Sequence, residues 1–434
     1  MNARITSLTE RTRRAGEGVL AEEKSGVLAH LPFLGPAVIA SIAYMDPGNF
    51  ATNIQSGAQY GYMLLWVVLV ANLIAMLFQA LSAKLGIVTG KSLAEHCREQ
   101  LPAWATYALW IGSELAAMAT DLAEVLGGAI GLTLLFGLPL IVSAAITGVA
   151  TYVILLLEGT GFRPMEIVIG TFVGAISLSY IAELFIAPPA WGSALFHAVV
   201  PQLAGGDSVL LAVGIVGATV MPHAIYLHSS LTKDRIPVRG DADVKRVLTF
   251  SNHEVLLALG AAGLVNMAMV AMSAVVFFAT GHQNVASIES AYHTLTPLLG
   301  IAAAGIFMLS LLASGFSSSV VGTMAGQTIM QDFVHFKVPL SIRRLLTLVP
   351  TFFVIGFGVD PTQALIVSQV VLSLLLPLPI IALIVFTSRK DIMGQFASGP
   401  LLLGGASLAS LVVIALNVLL LLQVVRVPIP LLSA

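Results

Sequence analysis

Apolar residues run through this chain in long unbroken blocks, not in the alternation of a half-buried strand or the narrow stripe of a surface helix. A block of about 20 apolar residues is what a helix needs to cross a bilayer core. Eleven such blocks fall at residues 31–58, 61–87, 103–134, 138–157, 165–187, 208–231, 250–279, 295–332, 340–358, 361–387 and 402–426. Two of them carry polar residues and proline at mid-length. The first is interrupted by Asp46-Pro47-Gly48-Asn49, and the sixth, LLAVGIVGATVMPHAIYLHSS, by Met221-Pro222-His223. The pattern predicts an all-α integral membrane protein with 11 transmembrane helices, of which the first and sixth are broken.

Composition agrees with lipid as the main solvent. Of 434 residues, 57% are hydrophobic and only 10% charged, against about a quarter charged in a soluble domain. The net charge of -2 gives no reason to expect a nucleic-acid partner, and the single cysteine, Cys97, excludes an intrachain disulfide and a cysteine metal cage. Residues 1–30 are polar and of mixed charge, without the apolar core of a signal peptide. They are expected to form a cytoplasmic tail. With the N-terminus inside, 19 of the 20 Lys and Arg residues fall on the cytoplasmic side and Arg426 alone lies outside. That asymmetry supports both the span count and the direction, N-terminus in and C-terminus out.

Most of the 22 Asp and Glu residues are expected in the tail or loops; Asp46, Glu114, Asp121 and Glu124 are not. Each costs at least ~2.5 kcal/mol in the membrane and therefore needs a partner, water, a cation or a proton. In ELAAMATDLAE the last three fall within roughly 80° of one another on a helix. They form one polar stripe, which is a pattern for a water or proton route. Three separate interhelical hydrogen bonds would use the same residues.

At the two interruptions, proline removes a backbone donor and disfavours helix just before it, while glycine permits other backbone angles. About a turn should unwind at each, freeing the carbonyls of Ala43 and Ala218 as ligands beside Asp46, Asn49 and the Met221 thioether. Unpaired carbonyls at membrane depth are tolerated where they line a cavity or bind something. Spans one and six hold matching places in a five-plus-five arrangement whose second half is inverted, and paired breaks of this kind point to a midplane substrate site. Oxygen donors alone would suit calcium or magnesium; a sulfur donor moves the preference toward softer divalent ions such as manganese, iron or cadmium.

These residues, in SIAYMDPGNFATNIQ, ELAAMATDLAE, GATVMPHAIYLHSSL and LLASGFSSSVVGTMAGQ, resemble the Nramp (natural resistance-associated macrophage protein) family, in its bacterial proton-coupled manganese transporter branch, from about Leu31 to the last span. The resemblance implies a LeuT-type fold in which spans one to ten form the inverted-repeat transport core, residues 31–390, and residues 391–434 add an eleventh helix and a short external C-terminus. It implies metal ligands at Asp46, Asn49, Met221, Ala43 and Ala218, with Gln369 joining in occluded or inward states and Asn266 nearby. A proton route is implied through His223, Glu124, Asp121, Arg343 and Arg235, extended by Glu114 and His228. The expected activity is import of Mn2+ and Fe2+, with Cd2+ and Co2+, across the cell membrane by alternating access with proton co-transport, by a monomer without a resident cofactor. Many relatives read MPHN where this chain has Ala224, a change expected to matter little.

Other classes fit less well. HEVLL at His253 lacks the second histidine of a zinc-protease helix, Leu257 standing in its place, and no GxSxG elbow occurs. An amino-acid or amine transporter on the same fold would find its substrate carboxylate repelled by an aspartate in the first break. A cation channel is the third option, separated from a carrier by whether flux saturates. His228, His253 and His282 are expected to be solvated or hydrogen-bonded.

Overall fold

The computed structural model describes residues 8–21, 26–156, 162–233, 235–283, 287–335 and 339–425. Arg4, Lys24, Lys337 and Arg426 of the charge tally lie outside the described residues. All regular elements among the described residues are helical.

Among the described residues eight helices are long and apolar enough to cross a membrane. The shorter apolar Leu140–Leu155 is span four and Leu340–Gly356 is span nine, while span one comes in two pieces, Pro36–Ala43 and Pro47–Tyr60. Together these make the eleven spans. Span two is Leu65–Thr89, span three Ala103–Phe136, span five Phe162–Ile186, span seven Asp241–Ser273 and span eight Ile301–Val334. Span six divides into Gly205–Thr219 and Pro222–Lys233, and span eleven is Pro400–Val424.

The structure departs from the block boundaries in four places. Span seven starts at Asp241 because the charged run before residue 250 is helical too, its first turn carrying Asp241 and Asp243. The block at 295–332 is cut at Gly300, which adopts φ 91 and separates a short helix, Ile288–Leu299, from span eight. Span ten is also in two pieces, Pro361–Leu375 and Pro377–Ser388, since Pro377 and Pro379 withhold backbone donors. Finally, the polar tail contains a helix, Leu8–Ala21, whose Val19 and Leu20 pack with Ile236, Val244, Val247 and Phe250.

Spans three and eight form the most extensive helix pair. Small residues make this possible, because between helices in lipid close packing replaces the hydrophobic drive. At Gly315 the two backbones approach so closely that a Cβ would stand 2.6 Å from the Gly128 nitrogen. Large apolar side chains such as Phe185, Leu401 and Trp104 point outward from the bundle, as lipid contact requires. Buried polar side chains gather at the breaks in spans one and six and on the facing sides of spans three, eight and ten, and others lie on spans two, five, seven and nine.

Candidate metal-binding site

Both broken spans stop for the same reason. The carbonyl of Ala43 would pair with the amide four residues on, which is Pro47; that of Ala218 would pair with Pro222. Neither proline has an N–H to give. The chain turns once, with Tyr44 N–H donating to Ser41 and Met45 N–H to Ile42, and then restarts at Asp46. Asp46 caps the second half of span one, its Oδ1 accepting from the Asn49 backbone N–H at 2.9 Å, so the cap also aims the carboxylate across the break.

Asn49 ties the two breaks together. Its Nδ2 donates to Asp46 Oδ1 at 2.7 Å and to the Ala218 carbonyl at 2.9 Å, while its Oδ1 accepts from Thr219 at 3.2 Å. Asp46, Asn49 and Ala218 thus converge on one point. Met221 and Ala43 are fully buried at the same two breaks. Gln369 of span ten closes the group: a Cβ on Gly48 would run into the Gln369 side-chain amide and lie 2.9 Å from Asp46 Oδ2. Only glycine leaves room for that approach.

Two acceptor oxygens there, Asp46 Oδ2 and Gln369 Oε1, are buried with no hydrogen-bonding partner. Buried acceptors are normally satisfied, and a pair of unpaired acceptors, one of them a carboxylate, has the chemistry of a cation seat. Asn266 stands one step away. It donates to the Tyr44 carbonyl at 2.7 Å and accepts from Asn53 at 3.1 Å, holding the first break open instead of facing the carboxylate. Ser314 Oγ does the same for the Met45 carbonyl at 2.6 Å.

The acidic stripe of span three starts beside this centre. Glu124 lies close enough to Asp46 and Asp121 to feel both charges, and neither of its oxygens has a hydrogen-bonding partner. Asp121 pairs with Arg344 at 2.6 Å, with Ser319 also in reach, and Glu114 pairs with Arg343 at 2.5 Å. Carboxylates alternate with guanidiniums toward the first turn of span nine. His223 follows the second break, its Nδ1 3.0 Å from Thr120 Oγ1 of span three and its Nε2 without a partner. His228 takes another direction, its Nδ1 2.7 Å from Gln79 Oε1, and Gln79 donates to the Tyr44 hydroxyl at 2.6 Å.

Arg235 does not join the stripe. It pairs with Glu166 of span five and donates to the Leu34 carbonyl at 2.7 Å, at the start of span one. Arg344, absent from the sequence-based set, occupies the place beside Asp121. Neighbouring arginines point about 100° apart on a helix, and nothing in the sequence chooses between Arg343 and Arg344. Among the described residues three further carboxylates, Glu166, Glu183 and Glu254, are buried; all three fall within a few residues of a block edge and are absent from the sequence-based set.

Broken first and sixth spans in inverted five-helix halves, closing on a buried polar centre, define a multi-pass membrane transporter with a LeuT-type fold. The chain belongs to the Nramp family: the model described as natural resistance-associated macrophage protein-like matches residues 37–423. A divalent metal cation transporter MntH of Verminephrobacter eiseniae is 58% identical over 422 residues, covering 97% of this chain and 96% of the relative. A protein of the same description from Acidiphilium cryptum is 58% identical over 424 residues, 98% of each. The crystal structure of the Eremococcus coleocola manganese transporter with an aromatic bis-isothiourea compound superposes with TM-score 0.82 at 32% identity, covering 93% of this chain and 88% of that one. Mhp1, a nucleobase-cation-symport transporter, shares the fold alone, at TM-score 0.57 and 14% identity.

Proposed function

We propose that this chain is a secondary active transporter, not an enzyme, that imports divalent transition metals, Mn2+ and Fe2+ foremost and Cd2+ and Co2+ with them, across the cell membrane with proton co-transport by alternating access. The observation that carries this reading is the meeting of two chain breaks at which Asp46, Asn49 and the Ala218 carbonyl share hydrogen bonds while Asp46 Oδ2 and Gln369 Oε1 are left without donors. The names of the relatives, divalent metal cation transporter and manganese transporter, agree with it. The ion is cargo, and no resident cofactor is required.

In this reading Asp46, Asn49, Met221 and the Ala43 and Ala218 carbonyls strip hydration waters from the entering ion, and Gln369 completes the seat. One carboxylate and no thiolate keep binding weak enough for release. Rocking of spans one and six against the rest opens the far side. Basic residues flanking the spans orient the N-terminus inward, so a negative-inside potential drives each metal charge by ~2.3 kcal/mol per 100 mV. Protons displaced at the centre leave through Glu124 and the Asp121–Arg344 and Glu114–Arg343 pairs, with His223 at the entrance.

Met221 supplies the selectivity. Replacing Met221 by alanine leaves an all-oxygen seat, which hard cations fill more readily. Competition of Ca2+ and Mg2+ against Mn2+ uptake in proteoliposomes is expected to strengthen by about tenfold, equivalent to ~1.4 kcal/mol. Unchanged competition curves would remove sulfur from the mechanism.

A further inference from the structure

His253 and Glu254 open the HEVLL run of span seven, and both find partners just ahead of span one. Glu254 Oε1 accepts from the backbone N–H groups of Gly35, Ala37 and Val38 at 2.6, 3.0 and 3.2 Å, capping the helix Pro36–Ala43. One residue earlier, His253 Nδ1 lies 3.1 Å from Nε2 of His30, at the end of the turn Val27–His30. The other nitrogen of His30 settles how that contact works. Its Nδ1 stands 3.0 Å from the Gly26 carbonyl, which only accepts. A hydrogen therefore sits on Nδ1, and in the tautomer that carries no second hydrogen Nε2 turns its lone pair toward His253. Phe250, edge-on with ring centroids 4.6 Å apart, braces the same ring.

We propose that His30 and His253 form a second metal site, a two-histidine seat for a divalent transition-metal ion at the mouth of the transporter beside the start of span one, and that an ion bound there clamps span one to span seven and slows transport. A carbonyl-anchored imidazole presenting its free nitrogen is how metal-binding histidines are commonly oriented. Metal–imidazole bonds of about 2.0–2.1 Å across a 3.1 Å nitrogen separation give an angle at the metal of about 100°, between octahedral and tetrahedral values. His253 is exposed and His30 half-buried, so water completes the shell once each ring has turned by about 40° off the nitrogen–nitrogen line and His253 carries its hydrogen on Nε2. Two imidazoles favour nickel, copper and zinc over manganese, so this seat prefers other ions than the oxygen-rich centre does.

The consequence for transport follows from where the two ligands sit. His30 moves with the start of span one and His253 with span seven, so swinging span one away separates the rings. An ion that binds only the closed arrangement shifts the population toward it. This half rests on the proposed transport cycle; the metal seat itself does not.

The full chain in lipid nanodiscs, with Asp46→Ala removing the central carboxylate, is titrated with Cu2+ and followed by electron paramagnetic resonance. The expected spectrum shows one Cu2+ with splitting from two imidazole nitrogens. His30→Gln and His253→Gln each lose one nitrogen and bind at least about tenfold more weakly, a loss that even outer-sphere changes produce. Equal affinity and an unchanged nitrogen count in either variant overturn the site. With Asp46 intact, Zn2+ on the side bearing His30 is expected to slow Mn2+ uptake into proteoliposomes by several-fold, and His253→Gln to relieve it. Equal slowing in both proteins overturns the clamp. A parent protein without Mn2+ uptake would count against the transport reading instead, and the Cu2+ spectra would still decide the seat.

Discussion

Asp46→Ala is expected to lower Mn2+ uptake at least about 100-fold while the protein still inserts and purifies normally. Asp46 is the only carboxylate at either chain break, and its Oδ2 has no hydrogen-bonding partner. Removing one charge from a buried charge pair costs roughly 2–5 kcal/mol, and about 2.8 kcal/mol is a hundredfold in affinity. The effect on folding is smaller. Asp46 also caps Pro47–Tyr60 through the Asn49 N–H, and losing such a cap costs ~1 kcal/mol. Asp46→Asn separates the two roles, since the amide oxygen still accepts from Asn49 but carries no charge. Radiolabelled uptake by the asparagine variant should be nearly as poor as by the alanine variant; uptake within twofold of the parent protein would mean that charge is not what holds the ion.

The second large effect is on proton movement. Glu124→Gln is expected to cut metal-driven acidification of proteoliposomes by on the order of tenfold or more, in line with the loss of a positioned proton carrier. Glu124 is fully buried, without a hydrogen-bonding partner for either oxygen, and lies within reach of the charges of Asp46, Asp121 and Arg344. Glutamine is close in shape but neither takes up nor gives away a proton. An internal pH-sensitive dye read beside Mn2+ uptake separates the outcomes: metal entry continuing with little proton entry fits the stripe as a relay, whereas undiminished acidification would take Glu124 out of it. The negative-inside potential already drives two metal charges inward, so metal flux in this variant does not have to stop.

How much of this could be read before the fold was known depends on the kind of feature. Proline within an apolar block is a local signal, and the two breaks were legible from it down to the Ala43 and Ala218 carbonyls, each four residues ahead of a proline. The acidic stripe was legible as well, because helical periodicity alone puts Glu114, Asp121 and Glu124 on one side. Partners across the bundle were not. Asp121 chooses Arg344 over Arg343, and Arg235 turns to Glu166 and Leu34, choices set by how spans pack and not by spacing. Glu254 and His253 read as a failed zinc-protease pattern because their partners, Gly35 and His30, lie more than 200 positions away. The extra breaks at Pro377 in the tenth block and at Gly300 were missed because neither has the polar neighbours that mark the first and sixth spans.

Anomalous diffraction from crystals of the protein soaked in Mn2+ is the most direct measurement of the central claim. One peak is expected among Asp46, Asn49, the Ala218 carbonyl and the Met221 thioether, absent in Asp46→Ala crystals treated alike. Density for the metal elsewhere in the bundle, with those four groups unliganded, would contradict the account.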